Sequence, residues 1–169
     1  VQSSRGCPFK CTFCISNTMF PDGYRKRDID SVIRDMRDKS QYSNTLMFVD
    51  NDFAAQRRHT KKLLNRIIQE NLNLKISIFA RVEVARDDEL LSLMRQAGVT
   101  DIFQGFESVQ PTTLAEYEKR QTLEEIVASI EKLIALGFTV AGAFVLGADA
   151  DTLESISSSV NFAIEHRIT

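Results

Sequence analysis

The sequence has few of the residues that build disulfide frameworks, flexible linkers and membrane spans. It contains no tryptophan, three prolines, three cysteines and seven glycines in 169 residues. This composition excludes collagen-like and low-complexity chains, and we expect the whole chain to be ordered. The longest apolar run, residues 140–146, is far shorter than the roughly 20 residues that cross a bilayer. We therefore predict a cytoplasmic protein with no membrane span and no signal sequence.

An excess of charge of one sign is also lacking. Lys and Arg total 21 against 23 for Asp and Glu, which gives a net charge of -2. A net charge this small produces no strong electrostatic field that would attract a phosphate backbone or an anionic membrane. No nucleic-acid partner is therefore indicated. The chain is 43% hydrophobic and 26% charged, which is typical of one globular domain with its own core. We predict a single domain over residues 1–169.

Apolar runs of strand length alternate with segments of helical period along the chain. The predicted strands are residues 1–4, 46–49, 75–80, 101–105 and 139–146. The first two predicted helices are residues 29–42 and 56–71. A third is capped near Asp87 and ends at Gly98, and a fourth begins with a capping box of Thr122 and Glu125. The last helix runs from about residue 151 or 152 to 166. This alternation predicts an α/β fold with a parallel sheet, either open and doubly wound or part of a barrel.

In both folds a site is expected at the carboxyl ends of the strands, where polar side chains follow each predicted strand. These residues are Asp50, Asn51 and Asp52, then Arg81 and Glu83, then Glu107 and Ser108, then Asp149 and Asp151. Because the edge of any sheet needs polar residues for capping and solubility, this pattern alone is weak support for a site.

All three cysteines lie in one loop, GCPFKCTFC, and are Cys7, Cys11 and Cys14. Three thiolates so close in sequence can hold three corners of one iron–sulfur cluster and leave a fourth iron open, which favours catalysis over simple electron transfer. Structural zinc usually has four ligands. The only histidines, His59 and His166, lie on predicted helices, where we expect an exposed residue of a basic face and a helix-end residue.

Three other interpretations of the cysteines stay open on the residues alone. They could be buried and inert, or belong to a non-catalytic zinc or iron–sulfur module whose fourth ligand comes from elsewhere. They could also be incidental in a nucleotide-binding α/β domain. Metal analysis separates the catalytic cluster, with iron and sulfide, from a module that binds one zinc. A nucleotide-binding domain with incidental cysteines should keep its ligand binding when all three cysteines are replaced.

The segment CPFKCTFC resembles the signature loop of the radical S-adenosylmethionine superfamily, with the aromatic Phe13 directly before the last cysteine. The resemblance continues through FVDNDF after the second strand, FQGFES at the fourth and AFVLGADADT at the fifth. SRGCPFKCTFC and GFES together are most similar to the branch whose members often carry a separate cobalamin-binding domain. The family fold is a partial parallel (β/α) barrel of six strand–helix units. Five are recognised here, so we expect a fragment that lacks the sixth strand and any flanking domains.

The resemblance implies a 4Fe–4S cluster on Cys7, Cys11 and Cys14, with S-adenosylmethionine bound at the open iron. An external one-electron donor such as flavodoxin or ferredoxin would supply the electron that cleaves S-adenosylmethionine to a 5'-deoxyadenosyl radical. The radical acts on an unknown small-molecule or lipid-like substrate. In relatives that bind cobalamin through another domain, methyl transfer is common. The protein positions the cofactors, tunes the reduction potential of the cluster and excludes water from the site.

The same resemblance assigns roles to several residues that bind S-adenosylmethionine. Phe13 matches the adenine contact, and Glu107 and Ser108 match the position that meets the ribose hydroxyls. Asp50, Asn51 and Asp52 stand where many relatives have Gly-Gly-Glu, whose groups accept hydrogen bonds from the methionine amine. Asp and Asn can accept the same bonds, although the individual residue is not fixed by the pattern.

Two further assignments leave alternatives open. Arg81 could pair with the methionine carboxylate through its planar guanidinium group, or form an ordinary ion pair with Glu83 or Glu107. Gly147, with Gly142, matches a glycine-containing region that packs close to adenine in the family, but a strand glycine can equally serve close packing.

Overall fold

The computed structural model describes residues 1–168, which form strands and helices in alternation. The strands are β1 (Ser4–Arg5), β2 (Arg25–Lys26), β3 (Thr45–Met47), β4 (Lys75–Phe79), β5 (Val99–Glu107) and β6 (Thr139–Phe144). The helices are α1 (Ser16–Met19), α2 (Ile29–Ser40), α3 (Arg57–Glu70), α4 (Asp88–Gln96), α5 (Pro111–Glu116), α6 (Leu123–Ala135) and α7 (Leu153–Glu165). A 3₁₀ helix spans Val82–Arg86.

Strands β3 to β6 form one parallel sheet in the order β3-β4-β5-β6, so each strand pairs with the one before it in sequence. Helices connect the strands, as parallel pairing requires. This arrangement confirms the predicted α/β fold of the partial-barrel type. It also confirms that one edge of the sheet collects the carboxyl ends of four strands.

The first predicted strand differs from the expectation, because β1 pairs with β2 in an antiparallel ladder outside the parallel sheet. The chain before β1 still runs beside β3: the Val1 amino group donates to the Met47 carbonyl at 2.9 Å, and Val49 N donates to the Val1 carbonyl at 2.9 Å. The parallel sheet of residues 1–168 therefore has four strands. The side chains of Ser3 and Ser4 and the backbone N–H of Ser3 bond to the carboxylate of Asp50.

The core forms where the helices bury their apolar stripes against the sheet. In α2 the buried residues are Val32, Ile33 and Met36. The predicted capping box is confirmed at the start of α6, where Thr122 Oγ1 accepts from Glu125 N at 3.3 Å and Glu125 Oε2 accepts from Thr122 N at 3.2 Å. Such caps fix where the helices begin, and therefore how long the preceding loops are. Within residues 1–168, no helix has the length and apolar character needed to cross a bilayer.

The two histidines occupy different environments. His166 is at the C-cap of α7 and stacks on Phe162 with ring centres 4.3 Å apart, which confirms the helix-end prediction. His59 is half-buried, so the prediction of an exposed residue is wrong. Its Nε2 is buried without a hydrogen-bond partner in the described structure. Burial lowers the pKa of His59, and the nearby Lys26 lowers it further.

Candidate functional site

A cavity of about 410 Å³ lies at the carboxyl side of the parallel sheet, and the cysteine loop (residues 6–14) forms part of its wall. This volume is within the range of small-molecule and cofactor sites, which is about 300–1,000 Å³. Its aromatic wall residues are Phe9, Phe13, Phe79 and Phe103. Its polar wall residues, apart from the cysteines, are Ser16, Asn51, Asp52, Arg81, Gln104, Glu107 and Lys119.

The cysteine loop is tightly folded and attached to the segment after α5. Cys14 N donates to the Cys11 carbonyl at 3.1 Å, which closes a turn between the last two cysteines. Thr12 N donates to the Tyr117 carbonyl at 3.2 Å. Three half-buried, unpaired thiols line the cavity: Cys7, Cys11 and Cys14. The loop therefore presents all three sulfurs to one space.

A glycine begins this loop because no larger residue fits there. Gly6 has a φ of +79°, in the left-handed region. A Cβ at this position would lie 2.6 Å from the Gly23 carbonyl oxygen, which is closer than real contacts allow. Gly6 therefore lets the chain turn from β1 directly into the loop that carries Cys7.

The donor set fits an iron–sulfur cluster better than a single ion. Among residues 1–168, no three His, Cys, Asp or Glu side chains converge closely enough to bind one metal ion. A single zinc needs every sulfur at about 2.3 Å from one centre. In a cluster each thiolate binds its own iron, so the sulfurs stand farther apart. Three thiols of one loop that line the same cavity can each bind a separate iron of one cluster.

Burial changes the acid–base properties of two groups in the cavity. It raises the pKa of the Cys7 thiol, which the carboxylate of Asp52 raises further, while a backbone hydrogen bond at Phe9 lowers it. Burial also raises the pKa of Asp52 to about 6, against the hydrogen bond from Ala54 N and the charge of Arg81. Asp52 is therefore ionised at neutral pH and takes up a proton as the pH falls through about 6.

Glu107 faces the cavity in a buried ion pair with Lys119, whose Nζ lies 2.7 Å from Glu107 Oε1. Each side chain is 8% exposed. The pairing of β5 with β6 is irregular between Gly105 and Glu107, and Glu107 has a φ of +64°. A Cβ at Gly105 would collide with the Glu107 carboxylate, so a larger residue there would displace this side chain.

Sequence reasoning did not identify Lys119 as a site residue. It lies in the charged segment EYEKR, which reads as an exposed turn. The neighbours on both sides, Glu118 and Arg120, are exposed and have φ values of +49° and +54°. These two left-handed residues turn the chain so that the Lys119 side chain points inward. The local pattern of charges does not indicate this inward orientation.

Arg81 lies between the end of β4 and the cysteine loop. Its guanidinium pairs with Glu83, with Nη2 at 2.9 Å from Oε1 and Nε at 3.1 Å from both carboxylate oxygens. Nη2 also donates to the Lys119 carbonyl at 2.5 Å, and Nη1 approaches Cys11 Sγ at 3.7 Å. Of the two roles that the sequence leaves open, the structure contains the ion pair with Glu83.

Asp50 is buried but does not line the cavity, so the structure separates it from Asn51 and Asp52. Its carboxylate accepts from Ser3 N at 2.9 Å, from Ser3 Oγ at 2.7 Å and from Ser4 Oγ. All of these bonds connect the chain before the cysteine loop to the end of β3. Asp50 therefore holds the chain before the cysteine loop against the end of β3.

Ser108 and Gly147 also lie outside the cavity wall. Ser108 is buried, and its Oγ accepts from Gln110 N at 3.0 Å just before α5. Gly147 N donates to Asp151 Oδ2 at 2.8 Å, which fixes the loop after β6. Glu107, which ends β5 with a left-handed φ, reaches the cavity, whereas Ser108 lies beyond the strand and does not.

Two other candidates do line the cavity. Asn51 donates through Nδ2 to Ser16 Oγ at 3.1 Å. Gly142 contributes backbone to the wall, and a Cβ there would collide with Phe106 and with Ile168. Close packing against Phe106 is thus a sufficient reason for glycine at this position in β6.

Together, the parallel sheet and the cysteine-lined cavity at its carboxyl edge define an α/β protein of the kind that holds an iron–sulfur cofactor inside a partial barrel. Residues 1–163 match the family described as the Radical SAM superfamily. The chain belongs to this superfamily, and the resemblance noted in its cysteine loop is confirmed.

Similar proteins support the same placement. The chain is 26% identical over 165 residues to an uncharacterized methyltransferase from Pyrococcus horikoshii, covering 96% of this chain and 36% of that protein. It is 26% identical over 175 residues to a hopanoid C-2 methylase from Rhodopseudomonas palustris, covering 99% of this chain and 33% of that protein. The chain thus spans about a third of the length of these curated relatives.

Among solved structures, the chain is similar to the radical S-adenosylmethionine methyltransferase TsrM from Kitasatospora setae, whose structure contains cobalamin and a 4Fe–4S cluster. The TM-score is 0.87 at 20% identity, and the match covers 100% of this chain and 32% of TsrM. At this identity the likeness shows the fold alone. It agrees with the parallel four-strand sheet described above.

Proposed function

We propose that this chain is the catalytic core of a radical S-adenosylmethionine enzyme in which Cys7, Cys11 and Cys14 hold a 4Fe–4S cluster. The observation that carries the proposal is that all three thiols line one cavity at the carboxyl edge of the parallel sheet. When bound, such a cluster supplies the electron that cleaves S-adenosylmethionine. The chain itself binds and orients the cofactor and excludes water. The enzymatic activities of the relatives favour this function over a non-catalytic zinc or iron–sulfur module.

The cavity offers chemically distinct groups for the parts of S-adenosylmethionine. The ring of Phe13 is 39% exposed at the cavity and rests on Tyr117 with centres 4.9 Å apart, so it is a firm surface for adenine. Glu107 accepts from Lys119 through Oε1 only, and among residues 1–168 no donor bonds to Oε2. We assign Oε2 to the ribose hydroxyls, which are donors that a carboxylate binds well.

The methionine amine is a cation and needs acceptors. Asn51 and Asp52 line the cavity directly after β3, and Asp52 is ionised at neutral pH. We assign the amine to these two residues. Asp50 is left out of this assignment because its oxygens are already bonded to Ser3 and Ser4.

We further propose that the reaction is methyl transfer or a related radical reaction on a small-molecule or lipid-like substrate. Support comes from the methylase and methyltransferase activities of the relatives. Cobalamin, which TsrM contains, would bind through a domain outside this chain. An external one-electron donor such as flavodoxin or ferredoxin would supply the electron. A cytoplasmic location fits these assignments, because the three thiols must stay reduced to bind iron.

Anaerobic reconstitution with iron and sulfide tests the proposal. We expect a brown protein with about four irons and four sulfides per chain. Adding S-adenosylmethionine should shift the electron paramagnetic resonance spectrum of the reduced cluster, because the cofactor binds at the open iron. Cys11→Ala should lose most of the iron, and Thr12→Ala, next to it in the same loop, should retain it. An unchanged spectrum with saturating cofactor, full iron in Cys11→Ala, or one zinc per chain would each refute the assignment.

A further inference from the structure

The guanidinium of Arg81 is held in place from three sides. Glu83 binds it through both carboxylate oxygens, and the Lys119 carbonyl accepts from Nη2 at 2.5 Å. The ring of Phe9 lies below it, with the guanidinium carbon 4.2 Å from the ring centre. Its side chain is only 11% exposed, so water screens its charge weakly. A planar cation held in this way has one orientation.

That orientation directs the remaining nitrogen of Arg81 to the cysteine loop. Nη1 lies 3.7 Å from Cys11 Sγ, within hydrogen-bonding distance for sulfur. Phe9, which stacks on the guanidinium, belongs to the same loop. The contact is therefore fixed from the loop side as well as from the sheet side. Because Nε and Nη2 are already engaged, Cys11 is the partner left to Nη1.

We propose that Arg81 raises the reduction potential of the cluster by placing a hydrogen bond and a positive charge at the sulfur of Cys11. This inference rests on the proposed function, since it requires that Cys11 is a cluster ligand. Hydrogen bonds to the ligand sulfurs and nearby charges are established determinants of cluster potential. Reduction adds one electron from an external one-electron donor, and the added negative charge is stabilised by a cation nearby.

Glu83 counteracts this effect because its carboxylate neutralises much of the Arg81 charge. The ion pair stands on one side of the guanidinium and the sulfur on another. Removing the negative member leaves Arg81 held by the Lys119 carbonyl and Phe9, with its full charge near the sulfur. Neutralising Arg81 and neutralising Glu83 should therefore shift the reduction potential of the cluster in opposite directions.

Redox titration of the reconstituted full chain, without S-adenosylmethionine and followed by electron paramagnetic resonance, tests the inference. Arg81→Gln should make the cluster at least tenfold harder to reduce, which is about 59 mV for a one-electron couple. Glu83→Gln should make it easier to reduce. Arg81→Lys, which keeps the charge, should lie nearer to the wild type than Arg81→Gln. Arg86→Gln is the matched control, because Arg86 ends the 3₁₀ helix that contains Glu83 and pairs with Glu125 instead of with the cysteine loop.

Iron content separates the possible failures. If the wild-type chain takes up no iron, the proposed function fails and this inference fails with it. If the variants load normally but Arg81→Gln has the potential of Arg86→Gln, only the role of Arg81 is refuted. If Arg81→Gln does not fold or load, Glu83→Gln decides alone, and an unchanged or lowered potential in that variant overturns the inference.

Discussion

At the scale of single residues, the pair of Glu107 and Lys119 determines how one acceptor is presented to the cavity. Two opposite charges are buried together at the cavity wall, where each would be costly without the other. Lys119 fixes one oxygen of Glu107 and leaves the second free to accept a ligand hydroxyl. The pair therefore orients an acceptor that would otherwise rotate.

Glu107→Gln should weaken the binding of S-adenosylmethionine while the iron content stays normal. The amide keeps the size of the side chain but loses the charge that binds Lys119 and strengthens a hydrogen bond to ribose. We expect a loss of about 1–3 kcal/mol in binding free energy, measured by isothermal titration. Glu118→Gln removes the same charge from an exposed residue next to Lys119 and should bind as the wild type does. Equal affinity in wild type and Glu107→Gln would remove Glu107 from the site.

The sequence predicts which strand ends carry site residues but not which side chains turn inward. Cys7, Cys11 and Cys14 are recognisable because their spacing alone restricts them to one loop. By contrast, Asp50 and Asp52 are equally polar, and both follow β3, yet only Asp52 lines the cavity. The carboxylate of Asp50 is instead bonded to Ser3 and Ser4, which lie far from it in the sequence. Contacts of this kind depend on the tertiary fold, which local sequence does not contain.

At the scale of elements, Asp50 connects the segment before the cysteine loop to the end of β3. Its carboxylate accepts from the backbone of Ser3 and from the hydroxyls of Ser3 and Ser4. Three residues beyond Ser4 the chain reaches Cys7. The position of the loop relative to the sheet therefore depends on this buried carboxylate.

Asp50→Asn should lower the stability of the fold and weaken the retention of iron. One acceptor oxygen becomes an NH₂ group, and it then faces a buried donor instead of accepting from it, at a cost of about 1–3 kcal/mol. Thermal unfolding of the metal-free chain and the rate of iron loss to a chelator measure the two effects. Asp38→Asn, on the exposed face of α2, is the control and should change neither. If Asp50→Asn and Asp38→Asn have the same melting temperature and the same rate of iron loss, Asp50 does not position the loop.

Long amphipathic elements are predictable from the sequence, and short ones are not. The helices α2, α3 and α6 follow from their apolar period and caps, with ends within about two residues of the expectation. The 3₁₀ helix Val82–Arg86 and the six-residue α5 are too short to show a period, and both are missed. The 3₁₀ helix directly follows Arg81, and α5 ends three residues before Lys119, so these missed elements adjoin residues that line the cavity.

At the scale of the whole molecule, β6 is an outer strand of the parallel sheet. Within residues 1–168, β5 is the one strand that pairs with it. Parallel strands are usually covered on both faces and flanked by neighbours. Leu146, which follows β6, is 56% exposed, and Val160 of α7 is 52% exposed. Exposed apolar side chains of this kind favour association with another chain.

We expect this chain to self-associate through the exposed apolar surface at Leu146 as its concentration rises. Light scattering at increasing protein concentration measures the association. Leu146→Lys should reduce association, because a charge on an apolar surface opposes its burial against another chain. Tyr42→Lys, at an exposed residue just after α2, is the control and should leave association unchanged. A stable monomer at high concentration, or equal association of Leu146→Lys and the wild type, would contradict this expectation.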